Sequence, residues 1–269
     1  MQKKMTAAEP FELNRGSVEY YQNPTMYDFD FKKYAPDKKF YSNMALSLGG
    51  PILEIGCGSG RLMLDWIKKG IQVKGIDLSE DMLKTAEKKL IRAGKKYANL
   101  WSLEQGDMIS WSDGNKYNLI VSAFNTMMHI YTFEDMDLFL DNIKRNLGTE
   151  GTFIFDILNP DFRWFLRDPE KRWSRTRFKH PLHGCWYYYT TNHYYDAEEQ
   201  ISYVYIYHEP VNEGDGPDYT MRLAHRFYYP QEMSYILKRH GFILDSVLGG
   251  FDGSALDMFS TSQVYICSL

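Results

Sequence analysis

The stretch P-I-L-E-I-G-C-G-S-G-R, residues 51–61, carries the residue types best suited to hold a ligand. An apolar run enters Gly56, Gly58 and Gly60 and passes straight into an amphipathic segment. Glycines in that place permit a tight turn and let a ligand approach the backbone, beside the positive end of a helix. Asp77, in K-G-I-D-L-S, stands at the tip of the next apolar run. A carboxylate there can accept hydrogen bonds from two ribose hydroxyls. Asp107, in Q-G-D-M-I, follows the third run, where it can reach the edge of an adenine. Each mark has a plainer alternative: a glycine-rich βα turn, a helix N-cap at Asp77, and a turn residue at Asp107. Three marks in one chain favour the nucleoside reading.

Such residues need strands to end beside one another. Between Pro51 and Asp156 short apolar runs alternate with helix-length amphipathic segments, the pattern of a parallel sheet with crossover helices. The pattern predicts strands at 52–55, 72–76, 100–104, 119–123 and 152–156, and helices at 61–69, 80–93 and 133–146. Ser79 suits an N-cap, with Glu80 and Asp81 in the first turn behind it. After Asp156 the pattern changes. Residues 186–195, 200–208 and 218–228 are β-rich and joined by the turns D-A-E-E and E-G-D-G-P, which predicts an antiparallel insertion. A helix at 231–240 and two closing strands at 242–249 and 263–268 complete the chain. Before Pro51, six aromatic residues between Tyr20 and Tyr34 precede a predicted helix at 37–48.

Composition bounds the partners. The 269 residues suffice for one large domain or for a domain with an insertion. Lys and Arg number 31 against 35 acids, a net charge of −4, which argues against a general nucleic-acid or anionic-membrane binder. No apolar run approaches the ~20 residues of a membrane span. The first ten residues lack the apolar stretch of a signal peptide, so a cytoplasmic protein is expected. Cys57, Cys185 and Cys267 are too widely spaced for a zinc ribbon or a disulfide framework. The pair His180 and His183, with His193, has no fourth ligand, so no metal is expected. Eleven of the 21 tyrosines fall between Tyr187 and Tyr229, which marks the insertion as a separate unit.

The glycine loop, Asp77 and Asp107 together resemble the class I S-adenosylmethionine-dependent methyltransferases, and the resemblance covers most of the chain. It implies an α/β fold: a seven-stranded Rossmann-like sheet with its last strand antiparallel, and an inserted antiparallel β lid. The implied division is a cap segment at 1–50, a cofactor-binding core at 51–156 and 230–269, and a lid at 157–229. Residue by residue, the resemblance gives Glu54 and the backbone of Gly56, Cys57, Gly58 and Gly60 to the methionine end of the cofactor. It gives Asp77 to the ribose, Leu78 to the adenine face, Asp107 to the adenine amino group and the Met108 backbone to a ring nitrogen. V-S-A-F-N-T-M-M-H-I, residues 121–130, resembles the segment that borders the transferred methyl, so Phe124 is placed beside the cofactor.

The lid and the end of the chain resemble those of small-molecule enzymes such as the sugar N-methyltransferases. Tyr27, in Met26-Tyr27-Asp28, is similar to a tyrosine near their methyl donor, although their following G-R/K-D-Y is absent. A small-molecule acceptor is therefore expected, methylated at nitrogen or oxygen, between the Tyr27 segment, residues 125–129 and the lid. Asn125 can both donate to and accept from a small polar nucleophile. His129 is the candidate base, since an unperturbed imidazole titrates at about pH 6.5; the alternative in M-M-H-I is a core histidine or one that only supports the residues around the site. The lid tyrosines fit either a pocket wall or a homodimer face.

Two rivals remain. An NAD-dependent Rossmann oxidoreductase also has glycines and a strand-end acid, but here the spacing is GxGxG with an acid two residues before it. A catalytically silent protein that binds the same cofactor would carry the same loop. The segment after the fourth strand, Ala123 to Thr126, lacks both the D/N-P-P-Y/F of amino-methylating DNA enzymes and a carboxylate for Mg²⁺.

Overall fold

The computed structural model describes residues 7–269. Most of the polar start noted above, residues 1–6, lies outside them. In chain order the helices are α1 (Leu13–Val18), α2 (Pro24–Phe31), α3 (Pro36–Leu48), α4 (Met63–Lys68), α5 (Glu80–Ala93), α6 (Phe133–Asn146), α7 (Phe162–Phe165) and α8 (Pro230–Arg239). The strands are β1 (Ile52–Ile55), β2 (Val73–Asp77), β3 (Trp101–Gln105), β4 (Tyr117–Ser122), β5 (Leu147–Leu158), β6 (Trp173–Lys179), β7 (Trp186–Asp196), β8 (Ile201–Pro210), β9 (Tyr219–Arg226), β10 (Ile243–Leu248) and β11 (Ser262–Ser268). Among the described residues no helix is long and apolar enough to cross a membrane.

The chain divides into two compact units. One comprises Lys33–Pro160 with Tyr228–Leu269, the other the residues up to Lys32 with Asp161–Phe227. The larger unit holds a seven-stranded sheet in the order β10-β11-β5-β4-β1-β2-β3. Neighbours from β5 to β3 run parallel, whereas β11 is antiparallel to both β5 and β10. A parallel sheet is covered on both faces, and β1 is accordingly buried at all four positions. Trp66 from α4 and Tyr41 from α3 are fully buried in the same core as Ile52, Leu119 and Val121. The crossover helices start where their caps dictate. Ser79 Oγ accepts from the Met82 N–H at 3.3 Å, and Thr132 Oγ1 accepts from the Asp135 N–H at 3.0 Å. Because β1 to β4 point the same way, the loops that leave them gather at one end of the sheet.

The smaller unit is a four-stranded antiparallel sheet, β6-β7-β8-β9. Tyr187, Tyr203 and Tyr207 are buried within it. The expected cap segment at 1–50 is divided: α3 joins the larger unit, and α1 and α2 join this sheet. Gly16 of α1 packs so closely on β9 that an added Cβ would stand 2.4 Å from that of Ala224. Glu19 pairs with Arg222 at 3.1 Å, and Phe11 meets Tyr203 and Tyr205 edge-on at 5.0 and 5.3 Å.

Strand β6 was not expected in the arginine-rich stretch before His180. It is an exposed edge strand, where charge is tolerated on both sides and apolar alternation fades. Its cations find partners across the sheet: Arg175 lies 4.1 Å from the Tyr188 ring centroid and Arg177 5.2 Å from that of Trp186. Strand β5 also begins earlier than the apolar run suggests. Leu147 pairs with Tyr117, and a register shift separates that pair from the regular ladder that starts at Leu119–Thr152.

Candidate active site

The loop after β1 turns on glycines for two distinct reasons. Gly56 has φ +68° and faces the segment after β4, where an added Cβ would stand 2.5 Å from Thr126 Cγ2. Gly58 has φ +53° and nothing within 4 Å of an added Cβ, so the loop presents bare backbone to open space. The first glycine serves packing and the second leaves room for a ligand. Cys57 between them turns its side chain into the core and donates its N–H to the Ile76 carbonyl at 2.9 Å. Only its backbone is available to a cofactor. Burial, with Asp77 and Glu54 nearby, pushes its thiol well up.

Asp77 ends β2 beside this loop. One carboxylate oxygen accepts from the Gly58 N–H at 2.7 Å and the other from the Ser79 N–H at 2.8 Å. The side chain therefore fastens the glycine loop to the start of α5, and Ser79, not Asp77, caps that helix. Burial raises its pKa, while the two N–H donors oppose the rise. Each oxygen keeps a lone pair for a further donor. Leu78 beyond it is 52% exposed, and its carbonyl accepts from Gln105 Nε2 at 3.0 Å. Asp107 is exposed after β3, and its Oδ1 accepts from the Ile109 N–H at 2.9 Å. Met108 follows it, half-buried.

Glu54 is buried at the end of β1, and its Oε2 has no hydrogen-bond partner among the described residues. Burial pushes its pKa up to about 8, Arg61 pulls it back, and Asp37 and Asp77 push it further. Asp37, at the start of α3, is fully buried and forked by Arg61, with Nη1 at 2.8 Å from Oδ1 and Nη2 on Oδ2. The same guanidinium lies 5.3 Å from the Phe124 ring centroid and 5.9 Å from that of Tyr34. Arg61 thus serves Asp37 and lies near Glu54, while Asp37 and Asp77 add negative charge around Glu54. The balance of these charges favours a cationic ligand.

Phe124 and Asn125 follow β4 with φ of +59° and +66°. Their N–H groups donate to the Asp156 carboxylate at 2.9 and 3.3 Å. Residues 126–129 form a single 3-10 turn in which Met127 and Met128 are buried. His129 is half-buried, its Nδ1 3.2 Å from the Tyr131 hydroxyl. Tyr27 belongs to α2 in the smaller unit, its ring 4.9 Å from Phe31 and 5.8 Å from Tyr21. There too His193 is tied by Nε2 to Thr191 Oγ1 at 2.8 Å and Arg167 Nη1 at 2.9 Å.

Sequence reasoning missed Asp37, Tyr41, Arg61 and Asp156. A signal existed for Asp156, a lone acid inside the apolar run F-I-F-D-I-L, since a buried carboxylate needs donors. Asp37 gave none, because an acid two residues into a helix reads as a first-turn charge.

Residues 52–151 match the family model described as "Methyltransferase domain". This stretch is similar to a methyltransferase domain. The matched part carries β1 to β4, the glycine loop, Asp77, Asp107 and the segment from Phe124 to His129. An N,N-dimethyltransferase of Streptomyces venezuelae, named for dTDP-3-amino-3,4,6-trideoxy-alpha-D-glucopyranose, is 29% identical over 105 residues, 39% of this chain and 41% of that one. Matches to curated relatives span only 41–43% of their lengths. Among solved structures, the CcbJ methyltransferase of Streptomyces caelestis superposes with a TM-score of 0.75 at 20% identity, covering 96% of this chain and 98% of that one. An S-adenosylmethionine-dependent methyltransferase of Clostridium acetobutylicum gives 0.73 at 17% identity, covering 93% and 98%. These likenesses extend the fold of the domain over the rest of the chain. The strand order with its reversed β11 is the one expected for it, and the four antiparallel strands form a second sheet.

Proposed function

We propose that the protein binds S-adenosylmethionine at the end of β1 and transfers its methyl group to a nitrogen or oxygen of a small molecule. One observation carries the cofactor assignment: Glu54 Oε2 is a buried oxygen with no hydrogen-bond partner among the described residues, beside a loop of bare backbone and near the Asp37 and Asp77 carboxylates. S-adenosylmethionine is cationic at its sulfonium and ammonium groups, and its ribose offers two hydroxyl donors for Asp77. The residues present fit that group. Bound there, it supplies an electrophilic methyl that needs no metal. The protein's part is to align a nucleophile and exclude water, worth several kcal/mol in effective-molarity terms. Similarity to an amino-sugar N,N-dimethyltransferase supports a small polar acceptor. Asn125 would orient it and His129 would take its proton, because an ammonium has no lone pair to attack with.

Calorimetry with S-adenosylhomocysteine and with NAD tests the cofactor. Binding of NAD alone would transfer the site to a dehydrogenase. Asp77→Ala should weaken S-adenosylhomocysteine by about 1.5–3 kcal/mol, the loss of two charge-assisted hydrogen bonds together with the Gly58 tether. Radiolabel transfer from the methyl donor into a pool of cell metabolites tests the enzyme, since a silent cofactor binder would label nothing. Once an acceptor is labelled, His129→Ala should lower turnover at least about tenfold with little change in cofactor affinity. Unchanged turnover across the pH range would mean that the acceptor loses its proton to solvent.

A further inference from the structure

Two successive non-glycine residues in the left-handed region are uncommon, and a phenylalanine there is strained. Phe124 and Asn125 hold that conformation in the turn between β4 and the segment proposed to orient the acceptor. Three anchors fix it. Thr126 Oγ1 donates to the Ala123 carbonyl at 2.8 Å while its methyl fills the space left by Gly56. The Met128 N–H donates to the Asn125 carbonyl at 2.9 Å. The third anchor is Asp156. The pairs Val121–Ile154 and Ser122–Phe155 bring it level with Ala123, one step before the turn.

The chemistry at Asp156 requires a carboxylate. Oδ1 accepts from the Tyr41 hydroxyl at 2.6 Å and the Phe124 N–H at 2.9 Å, and Oδ2 accepts from the Asn125 N–H at 3.3 Å. All three neighbours are donors. An asparagine in the same place has one acceptor oxygen, and its amide N–H₂ would face a donor. Tyr41 and Asp156 are both buried, so no surrounding water would repair the mismatch.

We infer that Asp156 is the positioning residue of methyl transfer: with the Tyr41 hydroxyl behind it, its carboxylate holds Phe124 and Asn125 in the strained turn that sets Asn125 and His129. This rests on the methyl-transfer reading above. It adds a residue that touches neither cofactor nor acceptor and acts through the turn. The titratable groups around it are Tyr41 and Asp37 of α3 and Tyr34 just before that helix, with Glu54 reaching the same Tyr41. Burial lifts the Asp156 carboxyl to about 6, and the three donors oppose that rise.

The test compares wild type with Asp156→Asn and Tyr41→Phe, using S-adenosylhomocysteine calorimetry, radiolabel transfer to the same labelled metabolite, and the amide resonances of Phe124 and Asn125. In wild type both amide protons should move with a midpoint near 6, following the carboxyl. In Asp156→Asn that titration should vanish and label transfer should fall at least about tenfold, with S-adenosylhomocysteine affinity within about threefold. In Tyr41→Phe the carboxylate loses a donor, so the midpoint should move to higher pH and transfer should fall a few-fold at pH 6. Should Asp156→Asn fail to fold, Tyr41→Phe decides by that shift. Amide resonances of Phe124 and Asn125 left unmoved by Asp156→Asn, or full transfer by a folded Asp156→Asn protein, would overturn the inference while leaving the methyl-transfer reading intact. Wild type that binds S-adenosylhomocysteine but labels nothing sinks the enzymatic reading and, with it, a catalytic purpose for the turn. The amide titration still judges the carboxylate's hold on it.

Discussion

Replacing Arg61 with alanine is expected to remove about 3–5 kcal/mol of folding stability, the cost of leaving a buried charge without its partner. Asp37 is fully buried and receives both ends of the guanidinium fork. Arg61 also packs its planar group near the Phe124 and Tyr34 rings, contacts that alanine deletes. Truncation therefore strands the Asp37 carboxylate and loosens the aromatic packing behind the turn after β4. The loss should be read from urea unfolding of the whole chain. Removing both charges together, as Asp37→Leu with Arg61→Met, should recover most of the stability, because the desolvation penalty disappears with the pair. A single Arg61→Ala loss under about 1 kcal/mol would show that water reaches Asp37. The pair would then act as an exposed one.

The same pair shows why the sequence yields some of this site and hides the rest. Gly56, Gly58 and Asp77 were legible because strand ends and glycines are local signals, readable within a few residues. The sheet was legible for the same reason: Ile52–Ile55 and Leu119–Val121 are short apolar runs between turn signals. Asp37 and Arg61 lie 24 residues apart and meet only because α3 packs beside the glycine loop. Tyr41 and Asp156 are separated by 115. No periodicity encodes such contacts; only the folded core brings them together. Strand β6 was hidden for a different reason. Its arginines find aromatic partners on β7, so a strand that reads as a solvated basic stretch is paired through cation–π contacts. Asp77 was legible in place, but its tether to Gly58 was not, being a backbone contact that residue types do not reveal.

The affinity of S-adenosylhomocysteine is expected to rise about tenfold per pH unit between pH 6 and about 7.5, with one proton released on binding. Glu54 is the source. Its pKa, lifted to about 8 chiefly by burial, leaves it a neutral acid over this range in the unliganded protein. The sign for folding follows. The unfolded carboxyl releases its proton above about 4.5, whereas the folded one keeps it to about 8. Its stabilising contribution is therefore complete below the first value and is lost as pH rises toward the second. An ammonium seated against Glu54 reverses the preference, because an opposite charge favours the ionised acid. Binding must then expel the proton, and higher pH assists it. Calorimetry in two buffers of different ionisation enthalpy counts that proton directly. Glu54→Gln should bind more weakly and lose both the pH slope and the proton release. Equal affinity at pH 6 and 7.5 with no proton released in wild type would mean that Glu54 does not ionise against the ligand. The partner of its buried Oε2 would then be a neutral donor.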